Sequence, residues 1–150
     1  MKALIQRVIN AKVTTEEGHC DSINEGLLIL LGIENNDNKE DADWLSNKIV
    51  NLRVFNDDFG VMNNSLLNIY GDAMVVSQFT LHARTKKGNR PSYIDAAPPE
   101  IAIPLYKHFI EIIEFSLGKK VAKGVFGAYM KIELVNDGPV TIMIDSKNKY

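Results

Sequence analysis

Cysteine and long apolar runs are the features that this 150-residue chain has least of. Its one cysteine, Cys20, can form no intrachain disulfide, and a lone cysteine offers no zinc cluster. The longest apolar run, residues 27–33, is far too short to span a membrane, and the first residues lack the apolar core of a signal peptide. We therefore expect a cytoplasmic protein with no membrane partner, and nothing in the composition demands a metal or another cofactor.

An excess of one charge is also missing. The formal net charge is −2 and charged residues make up 24% of the chain, so no global positive excess argues for binding DNA or nucleic acid in general. Any RNA contact must come from a local basic patch. The length and the 45% hydrophobic content predict one domain, residues 1–150, with a real core and a frayed tail over residues 146–150.

The periodicity of the apolar residues predicts a domain made mainly of strands. Alternating or β-branched runs predict strands at 3–8, 11–15, about 23, 27–33, 73–81, 121–126, 130–135 and 140–145. Helical spacing predicts helices over about 38–52, capped by Asp37 with Glu40, and over about 99–117. The polar residues 136–139 predict a hairpin turn between the last two strands. With no regular βαβ alternation, the fold class is α+β with two main helices.

The run Ser-Gln-Phe-Thr-Leu at residues 77–81 follows an apolar strand and concentrates polar groups at its end. On a regular strand Ser77 and Thr80 point to opposite faces, so they can serve one substrate only if the strand ends or bulges there. The backbone N–H groups of Phe79 and Thr80 would then be free to stabilise a developing oxyanion. The alternative is that both hydroxyls only satisfy nearby backbone groups.

A hydroxyl nucleophile needs a base, and the chain offers three histidines: His19, His82 and His108. His19 falls in an early turn, His108 falls off the apolar stripe of its helix, and His82 directly follows the strand. No Gly-x-Ser-x-Gly elbow is present. A triad assembled in space stays open, although no feature of the sequence favours one.

The segment after the hydroxyl run is basic. Residues 82–92 carry four positive charges and no acid: Arg84, Lys86, Lys87 and Arg90. This local excess could guide a phosphate backbone toward the end of the strand, and a solvated loop is the alternative. A smaller basic group beyond the second helix could be another contact: Lys119, Lys120 and Lys123.

Five runs in a fixed order along the chain form a more specific pattern than any one of them. They are Ala-Leu-Ile-Gln-Arg-Val at 3–8, Gly-Leu-Leu at 26–28, Val-Ser-Gln-Phe-Thr-Leu at 76–81, Gly-Asn-Arg-Pro-Ser at 88–92 and Val-Asn-Asp-Gly-Pro-Val-Thr at 135–141. Together they resemble the D-aminoacyl-tRNA deacylases. The resemblance implies a barrel-like α+β domain that hydrolyses the ester of D-aminoacyl-tRNA, and of glycyl-tRNA, without a cofactor.

The same resemblance implies a homodimer with its active sites at the dimer interface. Gly138 and Pro139, joined by a cis peptide bond, would reach from one subunit into the partner's pocket. There they would clash with the Cα substituent of an L-amino acid and accept that of a D-amino acid. Met130 would line the pocket, and Arg7 would either brace the turn or be an ordinary surface arginine.

The resemblance also implies that Ser77, Gln78, Phe79 and Thr80 form the catalytic end of the pocket, where the 3′ end of tRNA binds. The main chain would stabilise the oxyanion, and the ribose 2′-hydroxyl would help to place the attacking water. Two other functions remain open. One is a non-catalytic tRNA- or protein-binding module that has kept the fold, and the other is a serine or threonine hydrolase for small esters.

Overall fold

The computed structural model describes residues 1–149, which form eight strands, two α-helices and one 3₁₀ turn. The strands are β1 (Lys2–Thr15), β2 (Cys20–Ile23), β3 (Gly26–Gly32), β4 (Phe55–Asn56), β5 (Met62–Asn64), β6 (Asp72–Ser77), β7 (Ala122–Lys123) and β8 (Met130–Asp145). The helices are α1 (Lys39–Asn51) and α2 (Pro99–Leu117), and the 3₁₀ turn is Phe79–His82. In this part of the chain, neither helix is long and apolar enough to cross a membrane.

Strand β1 organises the sheet because it has partners along both edges. On one edge its first half pairs antiparallel with β3 and its second half with β2. On the other edge β8 pairs with it from Lys2 to Thr15. The sequence predicted two strands, 3–8 and 11–15, where the structure has one, because partners on both sides carry the extended backbone through the intervening residues.

Strand β8 is also continuous, so the predicted hairpin at residues 136–139 is wrong. Residues 130–136 and 141–145 both pair with β1, and the intervening residues 137–140 bulge out opposite Arg7. A hairpin would fold the second half back onto the first. Here β1 is long enough to pair with both halves in succession, so the turn residues form a wide bulge within one strand.

The sheet continues from β3 to β6 and then to β7, and these neighbours run parallel. With β2 and β8 placed along β1, the strands make a nearly closed, barrel-like sheet. Strands β4 and β5 form a separate small hairpin. This arrangement confirms the predicted α+β domain, dominated by strands and carrying two main helices.

Two apolar cores lie on opposite faces of the sheet. The larger one is packed by the helices, with Leu45 of α1 and Phe109 of α2 fully buried against the strands. Successive residues of β6 alternate between the cores, with Val75 in the larger and Met74 and Val76 in the smaller. Strand β6 is therefore buried on both faces, which explains its continuous apolar sequence.

Helix α1 begins with a capping box, one residue later than the sequence predicted. The side chain of Asn38 accepts from the N–H of Asp41 at 3.2 Å, and the Asp41 carboxylate accepts from the N–H of Asn38 at 3.0 Å. The predicted cap of Asp37 with Glu40 is wrong. The Asp37 carboxylate instead accepts from the backbone N–H of Glu34, which holds the preceding turn.

The segment after β8 is fastened to α1. Ser146 is buried, and its hydroxyl donates to the Asp41 carboxylate at 2.8 Å. The Lys147 Nζ atom lies 2.7 Å from the same carboxylate. The predicted fraying of residues 146–150 therefore does not hold for Ser146 and Lys147, and Tyr150 lies outside the described residues.

Candidate active site

Strand β6 ends at Ser77, and the chain then enters the 3₁₀ turn Phe79–His82. The predicted strand 73–81 is therefore too long at its C-terminal end. The first N–H groups of a helical turn have no partner inside the turn. Within residues 1–149, the N–H groups of Phe79 and Thr80 accordingly have no acceptor. The break in the strand that a joint role of both hydroxyls requires is present.

The side chains of this run are partly ordered by one another. Gln78 Nε2 donates to Thr80 Oγ1 at 2.6 Å, which leaves the hydroxyl proton of Thr80 available to a ligand. The ring of Phe79 is 56% exposed and packs edge-on against Tyr93, with the ring centroids 4.9 Å apart. The motif therefore presents two free N–H groups, an oriented hydroxyl and an aromatic surface at one place.

A cavity of about 420 Å³ opens at the end of β6. Ser77, Gln78 and Phe79 form part of its lining, and residues 126–130, including Met130, form another part. Most of the remaining lining is apolar and small: Leu31, Ile33, Ala96, Ala97, Pro99 and Ala102. This volume and this mixture of apolar walls with a few polar groups are typical of small-molecule sites.

Two of the three histidines are hydrogen-bonded to groups that are far in sequence from this motif. His19 Nε2 lies 2.7 Å from the carbonyl oxygen of Lys123, and His108 Nε2 lies 2.7 Å from the Asp43 carboxylate. Neither imidazole is bonded to a hydroxyl of the motif. In the described part of the chain, no three His, Cys, Asp or Glu side chains are grouped as metal ligands would be.

His82 is closest in sequence but is not placed as a base. It is buried at the end of the 3₁₀ turn, with Nδ1 4.0 Å from the Glu34 carboxylate. Its Nε2 atom has no hydrogen-bond partner among residues 1–149. Since no histidine is bonded to Ser77 or Thr80, residues 1–149 form no triad at this motif.

The bulge at residues 137–140 is held by Arg7, whose side chain is buried. Arg7 Nε donates to the carbonyl oxygen of Asp137 at 3.0 Å, and it lies 3.2 Å from the Asp137 carboxylate. Arg7 Nη1 donates to the carbonyl oxygen of Val54 at 2.6 Å. The guanidinium thus joins the bulge to the chain before β4. The Gly138–Pro139 peptide bond within the bulge is cis.

Asn136 provides a second set of bonds that shape the bulge. Its side-chain oxygen accepts from the N–H of Val140 at 2.9 Å, and its Nδ2 donates to Thr141 Oγ1 at 2.8 Å. Gly138 has φ +133°, and a Cβ atom there would lie 3.1 Å from Arg7 Nη2. Glycine is therefore needed for both backbone conformation and space. Sequence reasoning missed Asn136, although asparagine before a Gly-Pro turn was an available signal.

The bulge and the cavity are separate within one chain. Gly138 and Pro139 are exposed, and neither is among the described residues that line the cavity. Met130 does line the cavity, and it belongs to the same strand β8. The bulge therefore contributes no described lining residue to the cavity of its own chain.

The basic loop is less positive than its sequence suggests. Arg84 forms a two-pronged ion pair with Asp95, and the hydrogen bonds from Arg84 lower the pKa of that carboxyl group. Arg84 also pairs with Ser92 through both backbone hydrogen bonds, which closes the loop at its base. The remaining cations of the loop are exposed: Lys86, Lys87 and Arg90.

The smaller basic group beyond α2 is largely paired. Lys119 Nζ donates to the Asp72 carboxylate at 2.7 Å, and Lys120 Nζ donates to Glu114 at 3.3 Å. Burial raises the pKa of Asp72, but the hydrogen bonds from Lys119 and the Asn24 backbone, together with the charge of Lys119, outweigh it, so the net pKa is lowered. These two lysines therefore offer little free positive charge to a nucleic acid.

Two aromatic residues at the site are not evident from the sequence pattern. Phe126 lines the cavity and packs against Tyr106 with ring centroids 5.6 Å apart. Tyr93 lies in an irregular segment and meets Phe79 only in the folded chain. No periodic signal marks either contact, because both join segments that are distant in sequence.

The fold is a barrel-like α+β domain, and its cavity is lined in part by Ser77, Gln78 and Phe79 at the end of β6, whereas Thr80 is not among the described lining residues. The family model described as D-Tyr-tRNA(Tyr) deacylase matches residues 4–145. Proteins named D-aminoacyl-tRNA deacylase from Christiangramia forsetii and Bacteroides fragilis are 62% and 61% identical, with 99% of each chain covered. The chain belongs to the D-Tyr-tRNA(Tyr) deacylase family, and the resemblance seen in the sequence is confirmed.

Solved structures agree on the fold. A chain titled c-Myc DNA Unwinding Element Binding Protein has 38% sequence identity and a TM-score of 0.90, covering 97% of this chain and 98% of that one. A probable eukaryotic D-amino acid tRNA deacylase has a TM-score of 0.83, covering 95% of this chain and 97% of that one. Its identity is 14%, so this second likeness concerns the fold alone.

Proposed function

We propose that this protein hydrolyses the ester between a D-amino acid, or glycine, and the 3′ end of tRNA. The observation that carries the proposal is the pair of free N–H groups at Phe79 and Thr80, beside a cavity of about 420 Å³. Membership in the deacylase family supports it. A substrate of this kind puts the enzyme in the cytoplasm, where translation uses aminoacyl-tRNA.

The ester is already an activated acyl group, so its hydrolysis needs a placed water and a stabilised oxyanion. When the water oxygen attacks the carbonyl carbon, the carbonyl oxygen gains negative charge, which the N–H groups of Phe79 and Thr80 stabilise. The bond to the ribose 3′ oxygen then breaks, and that oxygen takes the proton that the attacking water gives up, passed on through the neighbouring 2′-hydroxyl. Free amino acid and tRNA leave. The neighbouring 2′-hydroxyl helps to place the water, so no side-chain base is required.

The side chains of the motif orient the substrate in this mechanism. The Thr80 hydroxyl accepts a hydrogen bond from the Gln78 side-chain amide and can still donate one to the substrate. Ser77 contributes a polar group to an otherwise mostly apolar lining. Neither hydroxyl is bonded to a histidine that could activate it as a nucleophile, which favours attack by water over a covalent intermediate.

The chirality of the substrate would be tested by a second copy of the chain. The bulge does not line its own cavity, so in the proposed dimer Gly138 and Pro139 would act on the partner's cavity. Their main chain would leave room for a Cα substituent in the D position and exclude one in the L position. Glycine has no such substituent and would also be accepted. The hydrogen bonds of Arg7 and Asn136 give the bulge the stiffness that steric exclusion requires.

The outer surface near the bulge supports a homodimer. Val135 and Met143 lie on either side of the bulge in β8 and are 47% and 44% exposed, and Ile9 of β1 is 55% exposed. Exposed apolar side chains on both sides of the bulge offer apolar area that a second copy could cover. In the proposed dimer, the bulge of the second copy would reach this cavity.

The loop after the motif would contact the tRNA backbone near its 3′ end. Lys86, Lys87 and Arg90 are exposed and can reach phosphates, whereas Arg84 is paired with Asp95 and holds the base of the loop. This role adds affinity without selecting a sequence. It suits an enzyme that must accept many tRNAs.

Matched D- and L-aminoacyl-tRNA test the proposed activity directly. We expect release of free amino acid from the D form and from glycyl-tRNA, with little from the L form. Equal hydrolysis of both forms would contradict the proposed chirality test, and binding without hydrolysis would support a non-catalytic module instead. Turnover of small aryl esters, with an acyl group trapped on Thr80 or Ser77, would support a serine or threonine hydrolase.

Two changes separate main-chain from side-chain catalysis. Thr80→Ala and Ser77→Ala should each leave measurable deacylation, because the oxyanion is held by backbone N–H groups. Complete loss of activity in both variants would favour covalent catalysis. Substrate with a 2′-deoxy terminal ribose should react much more slowly, and an unchanged rate would rule out help from the 2′-hydroxyl.

Mixed dimers test whether one site uses two chains. Gly138→Val distorts the bulge, and Ala128→Trp fills the cavity, so each variant alone should be inactive or unselective. Co-expressed, they form mixed dimers in which an intact cavity meets an intact bulge, and activity should return. No recovery from two variants that are folded by circular dichroism would show that each site lies within one chain.

A further inference from the structure

The carbonyl oxygen of Val75, two residues before the end of β6, accepts hydrogen bonds from two different elements. The Tyr106 hydroxyl of α2 donates to it at 2.8 Å, and the backbone N–H of Gly124 donates at 3.3 Å. Tyr106 is buried, and burial raises the pKa of its hydroxyl, so the group stays protonated and can donate. One carbonyl thus connects the strand that leads to Ser77 with the segment that leads to residues 126–130.

Gly124 leaves space for the side chain of Met130. A Cβ atom at position 124 would lie 2.3 Å from Met130 Sδ, which is far inside van der Waals contact. The backbone of Gly124 does not have the positive φ that favours glycine, so the need for glycine is one of space. Met130 lines the cavity, and its thioether therefore occupies the notch that the missing side chain leaves.

Tyr106 acts on the same lining from the other side. Its ring meets the ring of Phe126 edge-on, with centroids 5.6 Å apart and planes at 63°. Phe126 lines the cavity, as does Val76, which follows the carbonyl that Tyr106 holds. A single buried tyrosine therefore contacts two separate parts of the lining.

We propose that Gly124 and Tyr106 are positioning residues that set the width of the substrate cavity. Gly124 does so by giving the thioether of Met130 a place outside the substrate's path, and Tyr106 does so by holding Val75 and Phe126. Neither residue touches the reacting atoms. The proposal rests on the proposed function, because it is the substrate that senses the width of the cavity.

The variant Gly124→Ala tests the notch. Its methyl group displaces the Met130 thioether, and the proposal predicts that the thioether moves into the cavity that Met130 lines. We expect KM for D-aminoacyl-tRNA to rise about tenfold, the effect of about one methylene group in a pocket. The kcat value should change less, because the oxyanion N–H groups lie on a different segment. Adding Met130→Ala to this variant should restore KM to the value of Met130→Ala alone.

A purely structural role for Gly124 predicts a different result. It would lower thermal stability and kcat without a change in KM, and Met130→Ala would not rescue it. Tyr106→Phe keeps the ring on Phe126 and removes only the hydroxyl, so its rise in KM should be smaller than that of Gly124→Ala. A Tyr106→Phe effect on KM equal to or larger than that of Gly124→Ala would contradict the assignment of the notch.

A second measurement is independent of activity. The chain has five methionines, so a spectrum of ¹³C-methyl methionine is simple, and Met130→Leu assigns the Met130 signal. Gly124→Ala should shift that signal, and an unshifted signal together with an unchanged KM would overturn the inference. If the wild-type protein deacylates nothing, the proposed function fails, and the methyl shift still decides whether Gly124 positions Met130.

Discussion

The end of β6 and the bulge of β8 differ in how they are held. The end of β6 is held mainly by its main chain. The strand is buried on both faces, and the sheet and the 3₁₀ turn fix the positions of its last carbonyl and N–H groups. The bulge is exposed and is shaped by side chains, chiefly Arg7 and Asn136. One region is a cavity formed by packing, and the other is a projection braced by hydrogen bonds.

This difference has a consequence for sensitivity to mutation. Polar side chains at the end of β6 can be shortened while the N–H groups of Phe79 and Thr80 keep their places. Gly138 and Pro139 are exposed, and apart from Val140, which packs against the larger core, the bulge is held by a few polar contacts. If two copies of the chain complete one site, the end of β6 is the half that tolerates side-chain substitutions (the tolerant half). The bulge of β8 is the half that is sensitive to them (the sensitive half).

Arg7→Ala should give the largest effect, because it removes the brace of the bulge. It leaves the carbonyl oxygens of Asp137 and Val54 without their donor, and we expect a loss of about 3 kcal/mol in the free energy of unfolding. Selection against L-aminoacyl-tRNA should fall with it. Urea unfolding and paired D and L rate measurements check both effects.

The control for this change is Arg7→Lys, which keeps the charge and loses the fork that reaches two carbonyls. It should recover part of the stability and little of the selectivity. If Arg7→Ala keeps full selectivity, the bulge keeps its shape without this side chain. That result would contradict the view that the bulge, unlike the end of β6, is held by side chains.

Asp41→Asn should have the next largest effect, at a place that belongs to neither half. Burial raises the pKa of Asp41, but hydrogen bonds from Lys147, Ser146 and the Asn38 backbone together lower it below its ordinary value. The folded protein therefore gains stability from the ionised group above about pH 4 and loses it as pH falls through the lowered pKa.

Replacing Asp41 should cost about 1–3 kcal/mol at pH 7 through lost charge-assisted hydrogen bonds. The wild type and Asp41→Asn should converge in stability as the pH drops below 4, which denaturant titrations at several pH values can follow. A stability difference that stays constant down to acid pH would mean that the charge of Asp41 is not the source of the effect. The kcat value at pH 7 should be unchanged, since this network lies away from the cavity.

Tyr106→Phe should have a smaller effect on stability, about 1 kcal/mol, because the Val75 carbonyl keeps its bond from Gly124. This variant probes the tolerant half. Thermal unfolding checks the stability, and L-aminoacyl-tRNA rejection should stay intact because the bulge is untouched. A loss of selectivity as large as that of Arg7→Ala would erase the proposed difference between the two halves.

Removing the exposed loop charges should give the smallest effect on the reaction itself. A variant with Lys86, Lys87 and Arg90 changed to Ala should bind tRNA more weakly at low salt and keep its kcat. The slope of log affinity against log salt should fall by about 2, at about 0.7 for each phosphate contact to a single strand. An Asp95→Ala control frees Arg84 and should raise affinity, and an unchanged slope in the triple variant would exclude the loop from binding.

Local sequence patterns predicted much of the fold correctly. Apolar residues at helical spacing and a glycine after the last turn defined α2 with its observed bounds, because such a helix is specified by its own amphipathic stripe. The capping box of α1 was misplaced by one residue, since Asp37 and Asn38 can both cap and only the contact of Asp37 with Glu34 decides between them.

The candidate site, too, was predicted from the sequence only in part. The period alone showed that β6 must end or bulge if Ser77 and Thr80 serve one substrate, since two hydroxyls three positions apart cannot share a face of an unbroken strand. The true path of residues 136–141 did not follow, because a Gly-Pro turn between two alternating runs specifies a hairpin unless a long partner strand pairs with both runs. That partner, β1, lies more than 120 residues away in sequence.

The sequence by itself determined the family, the two helices and the α+β class, since each depends on runs of contiguous residues, whereas the end of β6 at Ser77 emerged only in the folded chain. Only the tertiary structure showed that Arg7 is hydrogen-bonded to the bulge, that Arg84 forms an ion pair with Asp95, and that Gly124 leaves space for the side chain of Met130. These contacts join segments that are distant in sequence or depend on a void a few ångströms wide. Local periodicity carries no information about either.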